Sequence, residues 1–195
     1  MMKEIDYDFI ITPELIAGAI LHTHEPFVKD YLVLHALIKN YKNYIRRFLE
    51  IGTNLGEGTK IIVNALGDGK LVYTLDLPSE LAHLSKQHPI SEGKKEGVGS
   101  RCDLRHCQLT GDSMTYDYGS LHDVDAWFID GEHDYAHPRH ETKEAVKMGA
   151  KLIVWHDADM QEVHNAIVDS FEWNEEYSLY RVTGTRIAYA LKNNL

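Results

Sequence analysis

Short apolar segments alternate with amphipathic segments along the sequence from residue 46 onward. The apolar segments are rich in β-branched and aromatic residues, which favours buried strands. The segments between them place apolar residues three and four positions apart, as helices do. Strands that alternate with helices require crossover connections, and such connections produce a parallel sheet with helices on both faces. The pattern therefore predicts a doubly wound α/β fold.

Seven strands and five helices are predicted in this part of the chain. The strands are RRFLEIG, KLVYTLD, HCQLTGD, VDAWFID, AKLIVWHD, EYSLYRV and TRIAYALK. The helices are GTKIIVNAL, PSELAHLSKQ, a short one near Tyr116 to Leu121, PRHETKEAVKMG and MQEVHNAIVDSF. Thr183 and Gly184 separate the last two strands, which is typical of an antiparallel hairpin. We predict a Rossmann-like, mostly parallel seven-stranded sheet that closes with a C-terminal antiparallel hairpin at a sheet edge.

Two helices are predicted before the first strand of this pattern, in TPELIAGAILHTH and PFVKDYLVLHALIKNYKNYI. Thr12 followed by Pro13 is typical of a helix start. We therefore divide the chain into an N-terminal helical cap, residues 1–45, and a larger domain, residues 46–195. The apolar side chains of YLVLHALIKNY suggest a packing surface for a homodimer.

Composition narrows the class of partner. With 195 residues, of which 44% are hydrophobic, the chain can bury a substantial core. Its formal net charge of −10 argues against nucleic acid or an anionic membrane as the partner, because both attract basic surfaces. The sequence has only two cysteines and no signal peptide or long apolar span. We expect a cytoplasmic protein that acts on a small molecule.

The segment EIGTNLGEGT, residues 50 to 59, places three glycines between the first strand of the pattern and its helix. Ligands of doubly wound sheets bind outside the carboxyl ends of the strands, where glycines permit a tight turn and a helix N-terminus attracts anionic groups. The dinucleotide motif G-x-G-x-x-G lacks its third glycine here, which disfavours an NAD-dependent oxidoreductase. The Gly-Lys-Ser/Thr of a P-loop is also missing.

Two further carboxylates follow the glycine turn at strand ends. Asp76 ends the second strand of the pattern, where a carboxylate can bind both hydroxyls of a ribose. Asp112 ends the third strand and can accept a hydrogen bond from an exocyclic amine such as that of adenine. The order of these residues indicates a nucleoside-containing ligand.

These motifs resemble those of class I S-adenosylmethionine-dependent methyltransferases, over about Arg46 to Lys192. The resemblance implies S-adenosylmethionine as the cofactor, with its methionine end at the glycine turn and its nucleoside held by Asp76 and Asp112. It also implies that the N-terminal helices shape the substrate pocket. The cofactor-binding residues implied are Glu50, Gly52, Thr53, Asn54, Gly56, Gly58, Thr59, Asp76, Leu77, Asp112, Ser113 and Asp130.

A second cluster of polar residues follows the fourth and fifth strands, in FIDGEHDYAHPRH and IVWHDAD. Adjacent strand ends converge, so Asp130, His133, His156, Asp157 and Asp159 are expected to lie close together. The segments resemble a subgroup of the same enzymes with an Ile-Asp-Gly-x-His-x-Tyr motif and a His-Asp motif, which includes small-molecule O-methyltransferases. The resemblance implies methylation of a sugar, phenol or natural-product hydroxyl.

Two roles for this second cluster stay open at this point. Asp130, Asp157 and Asp159 can hold Mg²⁺, as in related metal-dependent enzymes, although Ala158 stands where those enzymes have an asparagine ligand. His133 or His156, together with Asp130, can instead act in catalysis as a general base. A protein that binds the cofactor but has lost turnover is an alternative from a different class.

Overall fold

The computed structural model describes residues 1–19, 27–78 and 106–195. The strands in these ranges are β1 (Lys3–Ile5), β2 (Arg47–Ile51), β3 (Leu71–Asp76), β4 (His106–Thr110), β5 (Ala126–Ile129), β6 (Leu152–Trp155), β7 (Tyr177–Val182) and β8 (Ala188–Lys192). The α-helices are α1 (Tyr7–Ile10), α2 (Pro13–Ile16), α3 (Val28–Tyr41), α4 (Glu57–Leu66), α5 (Ala136–Lys147) and α6 (Gln161–Ser170). Two 3₁₀ helices, Lys42–Tyr44 and Tyr118–Leu121, complete the set.

The strands form one sheet in the order β1-β7-β8-β6-β5-β2-β3-β4. β2 pairs in parallel with β3 and with β5, while β8 runs antiparallel to both β6 and β7. The predicted doubly wound α/β fold with a C-terminal antiparallel hairpin is therefore confirmed. Because the winding reverses between β2 and β5, the carboxyl ends of these two strands flank the crevice where such folds bind ligands.

Both faces of the sheet are covered, and alternate residues of each central strand pack on opposite faces. Phe48, Phe128 and Val154 belong to the core on one face, together with residues of α3 and α4. Their neighbours Leu49, Ile129 and Ile153 belong to the core on the other face, together with residues of α5 and α6. This double burial explains why the strand sequences are apolar without alternation.

The sheet has eight strands where seven were predicted, because β1 adds to the edge. Lys3, Glu4 and Ile5 pair in parallel with Tyr180, Arg181 and Val182 of β7. A strand of three residues with two charged side chains is too short and too polar to show a strand pattern. The prediction that the hairpin forms a sheet edge is wrong for the same reason, since β1 lies outside β7.

The N-terminal helices differ from the prediction in extent. The first is four residues long in the described region, Pro13–Ile16, and Thr12 accepts a hydrogen bond from the backbone of Leu15 at its start. The second is α3, whose apolar side chains are buried in the core beside α4. The apolar surface that suggested a homodimer is therefore internal, and the domain boundary at residue 45 stays a prediction. The helix predicted at PSELAHLSKQ lies outside the described residues.

No helix in the described ranges combines the length and the apolar character needed to cross a bilayer.

Candidate active site

The glycine turn after β2 is pressed against the segment that follows β5. Gly52 has a φ of +94°, and its N–H donates to the carbonyl of Leu75 at 2.9 Å. A Cβ at Gly52 would overlap the carbonyl oxygen of Asp130. Glycine is thus required here both by the backbone conformation and by the close approach of two strand ends.

A buried hydrogen-bond network supports this turn from the interior. Glu50 accepts hydrogen bonds from the hydroxyls of Thr59 and of Thr74, the latter at 2.7 Å, and Thr74 lies 2.5 Å from the hydroxyl of Thr53. A Cβ at Gly58 would overlap a carboxylate oxygen of Glu50. Burial raises the pKa of Glu50 to about 8, against the opposing effect of the two hydroxyls. The side chains of Glu50, Thr53 and Thr59 therefore stabilise the conformation of the turn from the protein interior.

Asp76 is fixed at the end of β3 with both carboxylate oxygens oriented. Its Oδ2 accepts from the backbone N–H of Asn54 and its Oδ1 from that of Leu77, each at 2.8 Å. The first bond joins β3 to the glycine turn, whose last residue before α4 is Gly56. A carboxylate held in this way is preorganised to accept further hydrogen bonds from a ligand.

Asp112 and Ser113 lie just beyond β4, next to the end of β3. The backbone N–H of Gly111 donates to the carbonyl of Asp76 at 3.0 Å. Asp112 accepts from the backbone of Met114 at 2.8 Å, and the hydroxyl of Tyr118 donates to the carbonyl of Ser113 at 2.9 Å. The carboxyl ends of β2, β3 and β4 therefore place Asn54, Asp76 and Asp112 along the same edge of the sheet.

The ends of β5 and β6 bring two carboxylates and two imidazoles together. One ligand atom each from Asp130, His156 and Asp157 lies within 4.8 Å of the others. Nδ1 of His156 is 2.8 Å from Oδ2 of Asp157 and 3.3 Å from Oδ1 of Asp130. Nε2 of His133 is 3.1 Å from Oδ2 of Asp157. Asp157 has a φ of +50°, a conformation that aspartate tolerates better than most residues.

The third ligand expected for a metal, Asp159, is exposed and is not a member of this group. Ala158, the neighbour that stands where related enzymes have asparagine, is fully buried and offers no ligand. His156 supplies the third potential ligand atom instead. The potential ligands that the structure brings together are therefore two carboxylates and one imidazole.

Attraction between the imidazole of His156 and the neighbouring carboxylates determines the pKa values in this group. Burial alone would lower the pKa of His156, but the charge of Asp130 and hydrogen bonds to three carboxylates raise it far above its usual range. Burial alone would raise the pKa of Asp157, but the hydrogen bond from His156 and the positive charges nearby lower it to about 2. In the absence of a bound cation, the imidazole of His156 is thus the main counter-charge of the carboxylates.

Two residues of this site carry no signal in the motifs. Asp30 of α3 is buried, and its Oδ2 lies 3.3 Å from Nε2 of His156. Arg186, just before β8, donates from its guanidinium to Asp157 at 3.0 Å. Asp30 has a signal in hindsight, because it shares a helix face with the apolar residues Val33, Leu34 and Leu37. A charge on the apolar face of a helix indicates a buried partner.

Comparison with known proteins identifies structures but no sequence family. No protein-family model matches the sequence, and no curated protein matches it. An O-methyltransferase from Bacillus cereus, solved in complex with SAH, has 18% identity and a TM-score of 0.58 over 95% of this chain and 90% of its own. The O-methyltransferase TomG from Streptomyces achromogenes, involved in tomaymycin synthesis and solved with SAM, has 17% identity and a TM-score of 0.57 over 93% of this chain and 90% of its own.

A third structure contains a metal. MycE methyltransferase from the mycinamycin pathway, solved with Mg, SAH and mycinamycin VI, has 18% identity and a TM-score of 0.58. It matches 92% of this chain, which spans only 53% of the MycE chain. At sequence identities of 17–18% the similarity establishes the fold. The reaction has to be inferred from the residues of the site. The chain thus shares the fold of solved O-methyltransferase structures.

Proposed function

We propose that the protein is an S-adenosylmethionine-dependent O-methyltransferase that acts on a hydroxyl group of a small molecule. The observation that carries the proposal is the contact between the glycine turn and the second cluster, where Gly52 lies against the carbonyl of Asp130. A cofactor bound along the turn would have its reactive centre next to Asp130, His156 and Asp157. The fold shared with SAH-bound and SAM-bound O-methyltransferases supports the same assignment.

The cofactor would supply an electrophilic methyl group on a sulfonium centre. The chain's own contribution is to hold that centre and an acceptor oxygen in line. In this proposal Asp76 binds the ribose hydroxyls, because both of its oxygens are already oriented by backbone N–H groups. Asp112 and Ser113 contact the adenine, and α4 presents its N-terminus to the methionine carboxylate.

The group formed by Asp130, His156 and Asp157 fits a divalent cation in its donor atoms and charge. A cation bound there would supply Lewis-acid stabilisation of an acceptor oxygen that loses its proton. The residues that would hold it are these three, and a protein of the same fold, MycE, was solved in complex with Mg. Asp159 is left out because it is exposed.

His133 is the histidine that we assign as the proton acceptor. Both nitrogens of His156 face carboxylates, Nδ1 towards Asp157 and Nε2 towards Asp30, which leaves neither for an acceptor hydroxyl. The side chain of His133 is 15% exposed whereas that of His156 is 6% exposed, so His133 is the more accessible to a substrate. Its Nε2 also contacts Asp157, at 3.1 Å, so the assignment rests on the greater exposure of His133.

The first experiment is calorimetric titration of the purified protein with S-adenosylhomocysteine and, separately, with NAD⁺. We expect the wild-type protein to bind the former and not the latter. In Asp76→Ala the affinity should fall by at least about 10- to 100-fold, because a single hydrogen bond to a charged group contributes about 1.5–3 kcal/mol.

The control is Asp123→Ala, which removes a carboxylate that is 87% exposed and should leave the affinity unchanged. If the wild-type protein does not bind S-adenosylhomocysteine, or binds NAD⁺ instead, the proposed function is wrong. A protein that binds the cofactor product but transfers no methyl group to any phenol, sugar or natural-product hydroxyl would indicate the inactive binder.

A further inference from the structure

Helix α3 supplies a carboxylate to the cluster at the ends of β5 and β6. Asp30 is 3% exposed and His156 is 6% exposed, so the contact between them is closed to solvent. Oδ2 of Asp30 lies 3.3 Å from Nε2 of His156, within hydrogen-bond distance. A buried carboxylate needs hydrogen-bond donors for both of its oxygens. His156 and Arg186 face the two oxygens of Asp30.

Arg186 holds the Asp30 carboxylate from the other side. The backbone N–H of Arg186 donates to Oδ1 of Asp30 at 2.9 Å, and Nε of Arg186 lies 3.7 Å from Oδ2. The guanidinium carbon also lies 4.2 Å from the centre of the Phe27 ring. Because Oδ1 is occupied by a backbone donor, Oδ2 is the oxygen left to face His156.

The two nitrogens of an imidazole point in different directions, and the partner of one decides what the other can do. When Nε2 of His156 donates to Asp30, Nδ1 presents a lone pair to the space between Asp130 and Asp157. Histidines that bind metals almost always donate their second N–H to a carboxylate, a carbonyl or water in this way. In the structure Nε2 of His156 faces Asp30 at 3.3 Å, while Nδ1 faces Asp157 at 2.8 Å and Asp130 at 3.3 Å, so a bound cation would replace the proton that Nδ1 shares with these two carboxylates.

We propose that Asp30 is a positioning residue of a metal site, which fixes His156 so that Nδ1 joins Asp130 and Asp157 as a ligand. The inference rests on the cation assigned under the proposed function. It also has a consequence for the choice of cation. Mg²⁺ demands near-ideal octahedral coordination and gives up its water molecules reluctantly, so a site with an imidazole ligand should bind Mn²⁺ more tightly than Mg²⁺.

The test is to measure Mn²⁺ binding to the metal-free full-length protein through the electron paramagnetic resonance signal of the unbound ion. In Asp30→Asn one of the two carboxylate oxygens becomes an NH₂ group, so the side chain can no longer accept from Arg186 at one position and from His156 at the other. The dissociation constant for Mn²⁺ should therefore rise by about 10- to 100-fold. The matched control is Asp125→Asn. Asp125 is also buried and accepts from Arg46 and Lys151, but it lies just before β5, at the opposite end of the strand.

A second readout does not depend on the Asp30 variant. Pulsed resonance spectra of the Mn²⁺-bound wild-type protein should show coupling to a nitrogen nucleus, and His156→Ala should remove it. Absence of this coupling, or an Asp30→Asn protein that binds Mn²⁺ as tightly as the wild type, would overturn the inference. If Asp30→Asn does not fold, absence of the nitrogen coupling from the wild-type spectrum still overturns the inference.

Titration with S-adenosylhomocysteine in the same preparations separates the two proposals. If the protein binds S-adenosylhomocysteine but its Mn²⁺ spectrum shows no nitrogen coupling, only the inference about Asp30 and His156 is contradicted. If the protein binds neither S-adenosylhomocysteine nor Mn²⁺, the proposed function is contradicted as well.

Discussion

At the scale of single residues, Glu50 shows how a carboxylic acid can be structural in a ligand-binding fold. It is 1% exposed, and its hydrogen bonds come from the hydroxyls of Thr59 and Thr74. A pKa of about 8 means that the neutral acid is the prevailing form at neutral pH. The residue then behaves as a neutral hydrogen-bonding group beneath the glycine turn.

Replacing Glu50 with glutamine should remove a pH dependence from the stability of the protein. Between pH 4.5, the ordinary value, and about pH 8, folded Glu50 keeps a proton that the unfolded chain has released. The free energy of unfolding of the wild type should therefore fall as pH rises through this range. The fall should be on the order of a few kcal/mol relative to Glu50→Gln, since one pKa unit corresponds to about 1.4 kcal/mol.

Urea unfolding of both proteins at a series of pH values measures this difference. Glu175→Gln, at an exposed position, is the control and should follow the wild type. Parallel curves for the wild type and Glu50→Gln would show that Glu50 is ionised in the folded protein.

At the scale of elements, the turn between β2 and α4 joins two strand ends into one site. Gly52 is the point of contact, since its Cα lies against the backbone of Asp130. Any side chain there would have to separate β2 from β5, which are neighbours in the centre of the sheet. The glycine therefore has two separable roles, one conformational and one steric.

Gly52→Ala and Gly69→Ala separate these roles. Both glycines have positive φ values, +94° and +76°, but a Cβ at Gly69 would meet no atom within 4 Å. Gly69→Ala should cost only the backbone strain of about 1–2 kcal/mol. Gly52→Ala should lower the free energy of unfolding by several kcal/mol more and abolish binding of S-adenosylhomocysteine. Equal losses of stability in chemical denaturation would contradict the steric role.

The sequence predicts the elements around this turn well, because local information determines them. Apolar, β-branched runs identify β2, β3, β5 and β6, and the rule that parallel strand ends converge brings Asp130 near His156 and Asp157. Motif spacing predicts less well whether a side chain points towards the ligand or into the interior. Thr53 and Thr59 were expected beside the cofactor, whereas their hydroxyls belong to the interior network. Asp159 was expected as a ligand, but the chain turns it outward after Asp157.

At the scale of the whole molecule, the N-terminal helix α3 belongs to the same core as the sheet. Leu34 is fully buried in the cluster that also contains residues of α4, β5 and β6. Trp127 and Trp155 are fully buried in the cluster on the opposite face. We therefore expect α3 and the sheet to unfold together.

Leu34→Ala tests this cooperativity. The substitution should lower the free energy of unfolding by about 2–5 kcal/mol, as large-to-small changes in cores do. Circular dichroism and tryptophan fluorescence should report the same urea midpoint, although the buried tryptophans lie across the sheet from Leu34. Leu71→Ala, at a position that is 37% exposed, is the control and should cost less. A separate early transition in circular dichroism would show that the N-terminal helices unfold as an independent cap.

Long-range features of the molecule were the hardest to predict. β1 is stabilised by β7 and not by its own sequence, so its three residues carry no pattern of their own. Asp30 and Arg186 meet near His156 through contacts that only the complete fold creates. Helix periodicity marks Asp30 as a buried charge, but it does not identify His156 and Arg186 as its partners.

The meeting of Asp30 with His156 and Arg186 also bears on protein synthesis. Asp30 and His156 are 126 residues apart, and Arg186 follows both. A nascent chain that ends with β7 already contains the glycine turn, Asp76 and the second cluster, yet it lacks the guanidinium of Arg186, which contacts Asp30 and Asp157. The site is therefore complete only once the segment between β7 and β8 has left the ribosome, so ligand binding should begin only after this segment has been synthesised.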